Sequence, residues 1–264
     1  MVILTFREFG IPHADNNRTL VEWWLIESLQ EASEEQLVAL AEHCGIASLP
    51  STPSSDGGHW EPDTLRLFLS HLSADKKSVA ALATALLPFR VSAFVAHVDI
   101  EPTKEWEPEI ERALRSADAL CALLTPDFHA SNWTDQEIGI AIGRGILVFS
   151  IRAGKDPYGF IGKYQALTGS GKKASELTTE IVDILAKHAL TRERFAEVLV
   201  SSLEHAWSWE GCRSDMGILE RFEYLGESHL SRLKASIGAN EKVRTSHGVP
   251  ARISRLAERL RAAS

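Results

Sequence analysis

The chain has 264 residues, 44% hydrophobic and 24% charged, with a formal net charge of −8 at pH 7. That length holds one large domain or two small ones, the composition is that of a globular protein, and an acidic chain offers no global basic field to nucleic acid. No apolar run approaches the ~20 residues of a membrane span, no signal-peptide core precedes Arg7, Glu8 and Asp15, and Cys44, Cys121 and Cys212 are too scattered for a disulfide framework, so a cytoplasmic location is expected.

Residues 1–14 read as a short strand or a docked arm, and the pattern does not decide between them. Asp15-Asn16-Asn17 then offers a helix cap before Leu20, Trp23, Trp24 and Leu29 at near-helical spacing. Ser33 and Gln36 form a capping-box pair for a second helix with Leu37, Leu40 and Ala41 on its apolar side, and Gly45 is a natural stop. The Pro-, Ser- and Gly-rich run from Ser48 to His59 reads as a linker. Residues 1–58 are thus expected to be an N-terminal helical segment with its linker.

Beyond the linker the pattern alternates. Strands are expected over 65–70, 91–96, 120–125 and 146–151, with a short fifth near 164–168; helices are expected over 77–87, 106–117 and 135–143. His97 to Glu105 is a polar loop in which Pro102 opposes helix. Strands alternating with helices imply an α/β fold, a doubly wound parallel five-stranded sheet, placed here at 62–173. From 174 to 264 the pattern turns helical, clearest at 175–189, 191–206, 228–237 and 250–261. From Arg232 onward, eight Lys or Arg stand against two Glu, about +6, which suits a solvated helix face, an anionic partner or the acidic face of another copy.

The residues that carry chemistry lie between the third and fourth strands. Ser131 and Asn132 can cap the helix that starts near Asp135, and Gly143 and Gly145 can end it. Trp133 and Glu137, four apart, share one face of that helix. An indole beside a carboxylate near the carboxyl ends of parallel strands suits a flat cationic or sugar-bearing ligand. Gly139, Gly143 and Gly145 satisfy neither the dinucleotide fingerprint nor a phosphate loop. Cys121, Asp127 and His129 lack zinc-ligand spacing, so no metal is expected.

Phe68-Leu69-Ser70-His71, Ser92-Ala93-Phe94-Val95, Asp99-Ile100-Glu101-Pro102, Asp118-Ala119-Leu120 and Trp133-x-x-x-Glu137, in this order, resemble a bacterial Toll/interleukin-1 receptor (TIR) domain of the NAD-cleaving type. The resemblance covers about 65–169 and implies a flavodoxin-like sheet, here with helical N- and C-terminal extensions. It implies Glu137 as the catalytic residue, with Phe68, Ser70, His71, Phe94, Asp99 and Trp133 as the substrate-binding set. NAD+ would be the substrate, with no separate cofactor. The His97–Glu105 loop would contact neighbouring copies in a homo-oligomer, and the setting would be bacterial antiphage immunity or signalling. An acid frequent in related sequences just after the second strand is replaced by Ala96, and Thr134 stands where plant-type members carry Cys.

One carboxylate suffices for such chemistry, because a positively charged nicotinamide leaves without a strong general acid and the sugar passes through an oxocarbenium-like state. Two other readings share the pattern. A non-catalytic TIR adaptor would need neither Trp133 nor Glu137, and a nucleoside deoxyribosyltransferase-like enzyme would share the sheet and a catalytic glutamate but ignore NAD+. A receiver domain fits less well, since Ser70-His71 stands where paired acids belong.

Overall fold

The computed structural model describes residues 60–95, 106–131 and 133–262, with the side chains of 106, 107 and 262 outside that description. The chain divides into Met1–Ser55 and Asp56–Ser264, and everything described lies in the second unit. The expected N-terminal helices, Cys44 and the His97–Glu105 loop lie outside the described residues.

Five strands form the sheet: β1 (Leu65–Ser70), β2 (Val91–Phe94), β3 (Ala119–Leu124), β4 (Leu147–Arg152) and β5 (Leu167–Thr168). They run in the order β2-β1-β3-β4-β5, and every adjacent pair is parallel. This is the flavodoxin-like arrangement that the alternating pattern implies. Between the strands lie α1 (Lys76–Leu86), α2 (Trp106–Ser116) and α3 (Thr134–Gly143). The apolar runs of β1 and β3 are buried along almost their whole length, as strands covered on both faces must be.

Strand alternation sorts the side chains into two cores. Leu65, Leu67 and Leu69 of β1, with Ala119 and Cys121 of β3, face one side; Phe68 of β1, with Leu120, Ala122 and Leu124, faces the other. The second side is closed by Ile110, Ala113 and Leu114 of α2 and by Ile138 and Ala141 of α3. The first side takes α1 and then the C-terminal helices α4 (Ala174–Lys187), α5 (Arg192–Glu204), α6 (Trp209–Leu219), α7 (Glu227–Ala239), α8 (Glu241–Thr245) and α9 (Val249–Ala262). Leu177 and Ile181 of α4, Phe195 and Leu199 of α5, Met216 of α6 and Ile253 of α9 continue the core that begins on the strands.

Charged side chains tie these helices together. Arg232 on α7 forks onto Glu197 (2.7 Å) and Glu204 (2.6 Å) of α5. Arg252 of α9 pairs with Glu220 (2.7 Å), and Arg259 donates to the carbonyls of Glu220 and Phe222. Arg261 meets Glu227, and Lys242 lies 4.3 Å from the Trp209 ring centroid. The run of cations from Arg232 onward is therefore largely engaged inside the molecule. Lys234, Arg244, Arg255, Arg259 and Arg261 are nevertheless exposed, as expected of a solvated helix face.

Two helices depart from the sequence reading. The pattern from Trp209 to Leu219 gave no clear helix, yet α6 forms there, and the short α8 was likewise unread. The second strand ends at Phe94 rather than continuing to residue 96, and the fifth is only Leu167–Thr168. Among the described residues, no helix is long and apolar enough to cross a membrane.

Candidate functional site

The chain leaves the sheet at Ser70 and turns through His71, Leu72 and Ser73, while β3 leaves it at Leu124 and reaches α3 through Phe128–Ala130. β1 and β3 are neighbours whose onward helices leave toward opposite faces, which opens a crevice at their carboxyl ends. There lies a cavity of about 320 Å³, lined by His71, Ile110, Asp127, Ser131, Trp133 and Glu137 among others.

α3 delivers the central group. Thr134, 1% exposed, donates its Oγ1 hydrogen to the Phe128 carbonyl at 2.8 Å and fixes the entry of the helix. Trp133 occupies the N-cap position without a side-chain cap, and the Ser131 hydroxyl accepts from the Trp133 N–H at 3.2 Å. The expected cap by Ser131 is thus a turn contact one residue early, and Asn132 lies outside the described residues. The far end closes as read: Gly145 adopts φ +70, Gly145 N–H donates to Ile142 O (2.9 Å), and Ile146 N–H donates to Ala141 O (3.3 Å). These two bonds make a Schellman stop that needs glycine at the left-handed position.

Glu137 falls in the first turn of α3 and is only 5% exposed. Ser70, the last residue of β1 and 1% exposed, donates its hydroxyl hydrogen to Glu137 Oε2 at 2.6 Å. Burial pushes the Glu137 carboxyl up to about 7 from its ordinary 4.5, and the Ser70 hydrogen bond acts against that rise. The result is a carboxyl group poised near neutrality at the wall of a cavity. His71 is buried, and its Nδ1 lies 2.7 Å from the Leu69 carbonyl, so Nδ1 carries the proton in this arrangement. Trp133, 37% exposed, stands on the same cavity as Glu137, as their four-residue spacing on one face implies.

The structure places the remaining named residues differently. Phe68 and Phe94 are fully buried and pack ring on ring, with centroids 5.3 Å apart, in the core beneath the site. They support the crevice and do not line it, which corrects their reading as substrate contacts. Phe68 shares the face of Ser70 but sits one pleat deeper, and the strand meets the crevice only where it has ended, at His71. Ser70 contributes through Glu137. Asp99 lies outside the described residues. Asp127, Ser131 and Ile110 line the cavity but were not read as site residues. The position of Asp127 and Ser131 after the third strand was the available signal, since ligands in such sheets meet the loops at strand carboxyl ends.

This geometry defines a doubly wound α/β domain with a buried acid at its switch-point crevice. Residues 67–180, which hold Ser70, His71, Trp133 and Glu137, match the family model described as TIR domain. That stretch is a TIR domain, while the rest of the chain lies outside the match. Among solved structures the chain is similar to the TIR domain of the Toll-related receptor TRR-2 from the lower metazoan Hydra magnipapillata. The two share 17% identity over 45% of this chain and 95% of that one, with a TM-score of 0.38. Among curated proteins none matches.

Proposed function

We propose that the TIR domain cleaves the nicotinamide–ribose bond of NAD+, with Glu137 as its catalytic residue. The observation that carries this reading is the buried Glu137 carboxyl, held by Ser70 at 2.6 Å on the wall of a cavity it shares with Trp133. Perturbed acids cluster at functional sites, and a strongly shifted carboxyl in a cleft is a candidate for one. An adaptor working only through TIR–TIR contacts has no use for such a group.

Ionised, Glu137 faces the ribose as positive charge grows on its anomeric carbon. The bond to the nicotinamide nitrogen breaks with both electrons going to the nitrogen, so a neutral nicotinamide leaves. The carboxylate stabilises the oxocarbenium-like sugar or orders its hydroxyls, and the low dielectric of the crevice strengthens that effect. Water then adds to the anomeric carbon and gives up a proton, which Glu137 can accept because its pKa lies near 7. Attack by an adenine nitrogen in place of water gives a cyclic isomer. The Trp133 ring offers a stacking surface, and a cavity of about 320 Å³ takes the reacting end of the dinucleotide.

TIR domains generally assemble with one another, and this reading includes a homo-oligomer in which the His97–Glu105 loop takes part. The setting proposed is a cytoplasmic bacterial antiphage or signalling response. The test is NAD+ consumption by concentrated wild-type protein beside Glu137→Gln, with products separated by chromatography. Loss of NAD+ in the wild type alone supports the enzyme. Turnover of nucleosides with NAD+ untouched moves the assignment to a deoxyribosyltransferase, and turnover that survives the substitution rejects Glu137.

A further inference from the structure

The end of β1 faces two cavities. Ser70 holds Glu137 on one side of the sheet; on the other side Leu69 lines a second cavity of about 280 Å³. Its floor is the sheet, through Leu69 of β1, Cys121 of β3 and Ile151 of β4, and Leu82 of α1 and Leu177 of α4 form its walls. These five side chains are buried and apolar. Ser78, exposed on the first turn of α1, and Lys172, just before α4, stand at its rim.

The rim cation is Lys172. Lys76 and Lys77 precede the rim residue Ser78 in sequence at the start of α1, whose first turn contains no acid, and Lys173 precedes the lining residue Ala174 of α4. The nearby acids are already engaged by donors. Glu180 pairs with Lys172, the Glu176 carboxylate accepts from the Lys173 N–H at 2.9 Å, and Asp75 accepts from Thr125 Oγ1 at 3.0 Å. The Lys172–Glu180 pair is partly exposed, so Lys172 can exchange its partner at little cost.

We propose that this cavity binds a single-chain amphiphile, its aliphatic tail among Leu69, Leu82 and Leu177 and its anionic head at Lys172. Apolar walls favour a hydrocarbon tail through the area they remove from water, and Lys172 at the rim selects the sign of the head group. The site does not depend on the NAD+ reading, since it lies on the opposite face of the sheet and its test reads binding alone.

Octanoate is titrated into the full chain, with octylamine and 1-octanol as controls, by methyl NMR and calorimetry. Octanoate is expected to move the Leu69, Leu82 and Leu177 methyl signals and to bind about tenfold more tightly than octylamine. Leu82→Trp, which fills the cavity, is expected to abolish the shifts. Ser78→Glu, an exposed change that leaves the core intact, weakens octanoate severalfold and spares octanol. Octanoate that leaves these methyls unmoved, or octylamine binding equally well, overturns the proposal. So does unchanged affinity in Ser78→Glu protein of wild-type melting temperature.

Discussion

Four of the glutamates, alike in side chain, differ sharply in surroundings. Glu137 is enclosed beside the sheet with one neutral hydroxyl as its donor, and burial raises its pKa. Glu197, Glu204 and Glu220 lie on the C-terminal helices, partly in water, and the Arg232 and Arg252 guanidinium groups lower theirs. A guanidinium fork favours the charged carboxylate and locks two helices together. Enclosure with a weak donor disfavours the charge and leaves a group that changes state near neutral pH. A carboxyl that costs the fold stability at physiological pH fits a functional role better than a structural one.

Removing the charge from the enclosed member breaks this comparison most strongly. Glu137→Gln keeps the shape and can still accept from Ser70, so the fold is expected to survive. NAD+ cleavage is expected to fall by at least about 10²-fold, the scale of losing one electrostatic stabiliser. Chromatographic assay of soluble variant with a wild-type circular dichroism spectrum checks this.

The same residue gives the second prediction, in pH. In the proposed reaction the carboxylate is the working form, so cleavage is expected to rise with pH through about 7 and then level off. Stability runs the other way. Between the ordinary 4.5 and the folded value near 7, the folded state binds more protons than the unfolded one, so stability is lost as pH rises through that window. The difference amounts to about 3 kcal/mol at most. Urea unfolding at pH 5 and pH 8 is expected to show that loss in the wild type and its absence in Glu137→Gln.

Ser70→Ala sharpens the contrast from the donor side. The Ser70 hydrogen bond holds the Glu137 pKa below what burial alone would give. Without it the pH–rate curve moves to higher pH, and the rate at neutral pH falls roughly tenfold, the scale of a charge-assisted hydrogen bond. A role in packing alone would leave the curve's midpoint where it is.

How much of this was written in the sequence depends on the range of the interaction. Periodicity placed β1 without error and the other main strands within a residue or two, because burial on both faces leaves an uninterrupted apolar signature. Trp133 and Glu137 were legible as a pair because helical spacing is local. α6 was not. Its buried positions Cys212, Asp215, Met216 and Leu219 have helical spacing, but one of them is an acid. Asp215 is only 1% exposed, and its partner Arg90 lies 125 residues away, so the apolar face looked broken. The partners of the basic C-terminal run were hidden for the same reason: the acids that meet Arg232 lie on α5, 28 and 35 residues upstream. The family resemblance placed Phe68 and Phe94 in the cleft, and a resemblance does not give depth: the two lie side by side in register, one pleat below Ser70, and are buried.

The smallest expected effect lies at the other pole of the comparison. Arg232→Met keeps most of the aliphatic stem and removes the fork between Glu197 and Glu204. Side-chain exposures of 33%, 43% and 27% for Arg232, Glu197 and Glu204 mean that water screens the network. The loss is therefore about 1 kcal/mol, even for a bidentate arrangement. Its pH dependence has the opposite sign to that of Glu137. The pKa values of Glu197 and Glu204 are lowered in the folded state, so their contribution is complete above the ordinary 4.5 and fades as pH falls through the lowered folded values. The gap in urea midpoint between wild type and Arg232→Met is expected to be widest near neutral pH, to narrow in acid and to shrink with added salt. A gap that persists unchanged in acid and in high salt would assign the role of Arg232 to the packing of its stem rather than to its charge.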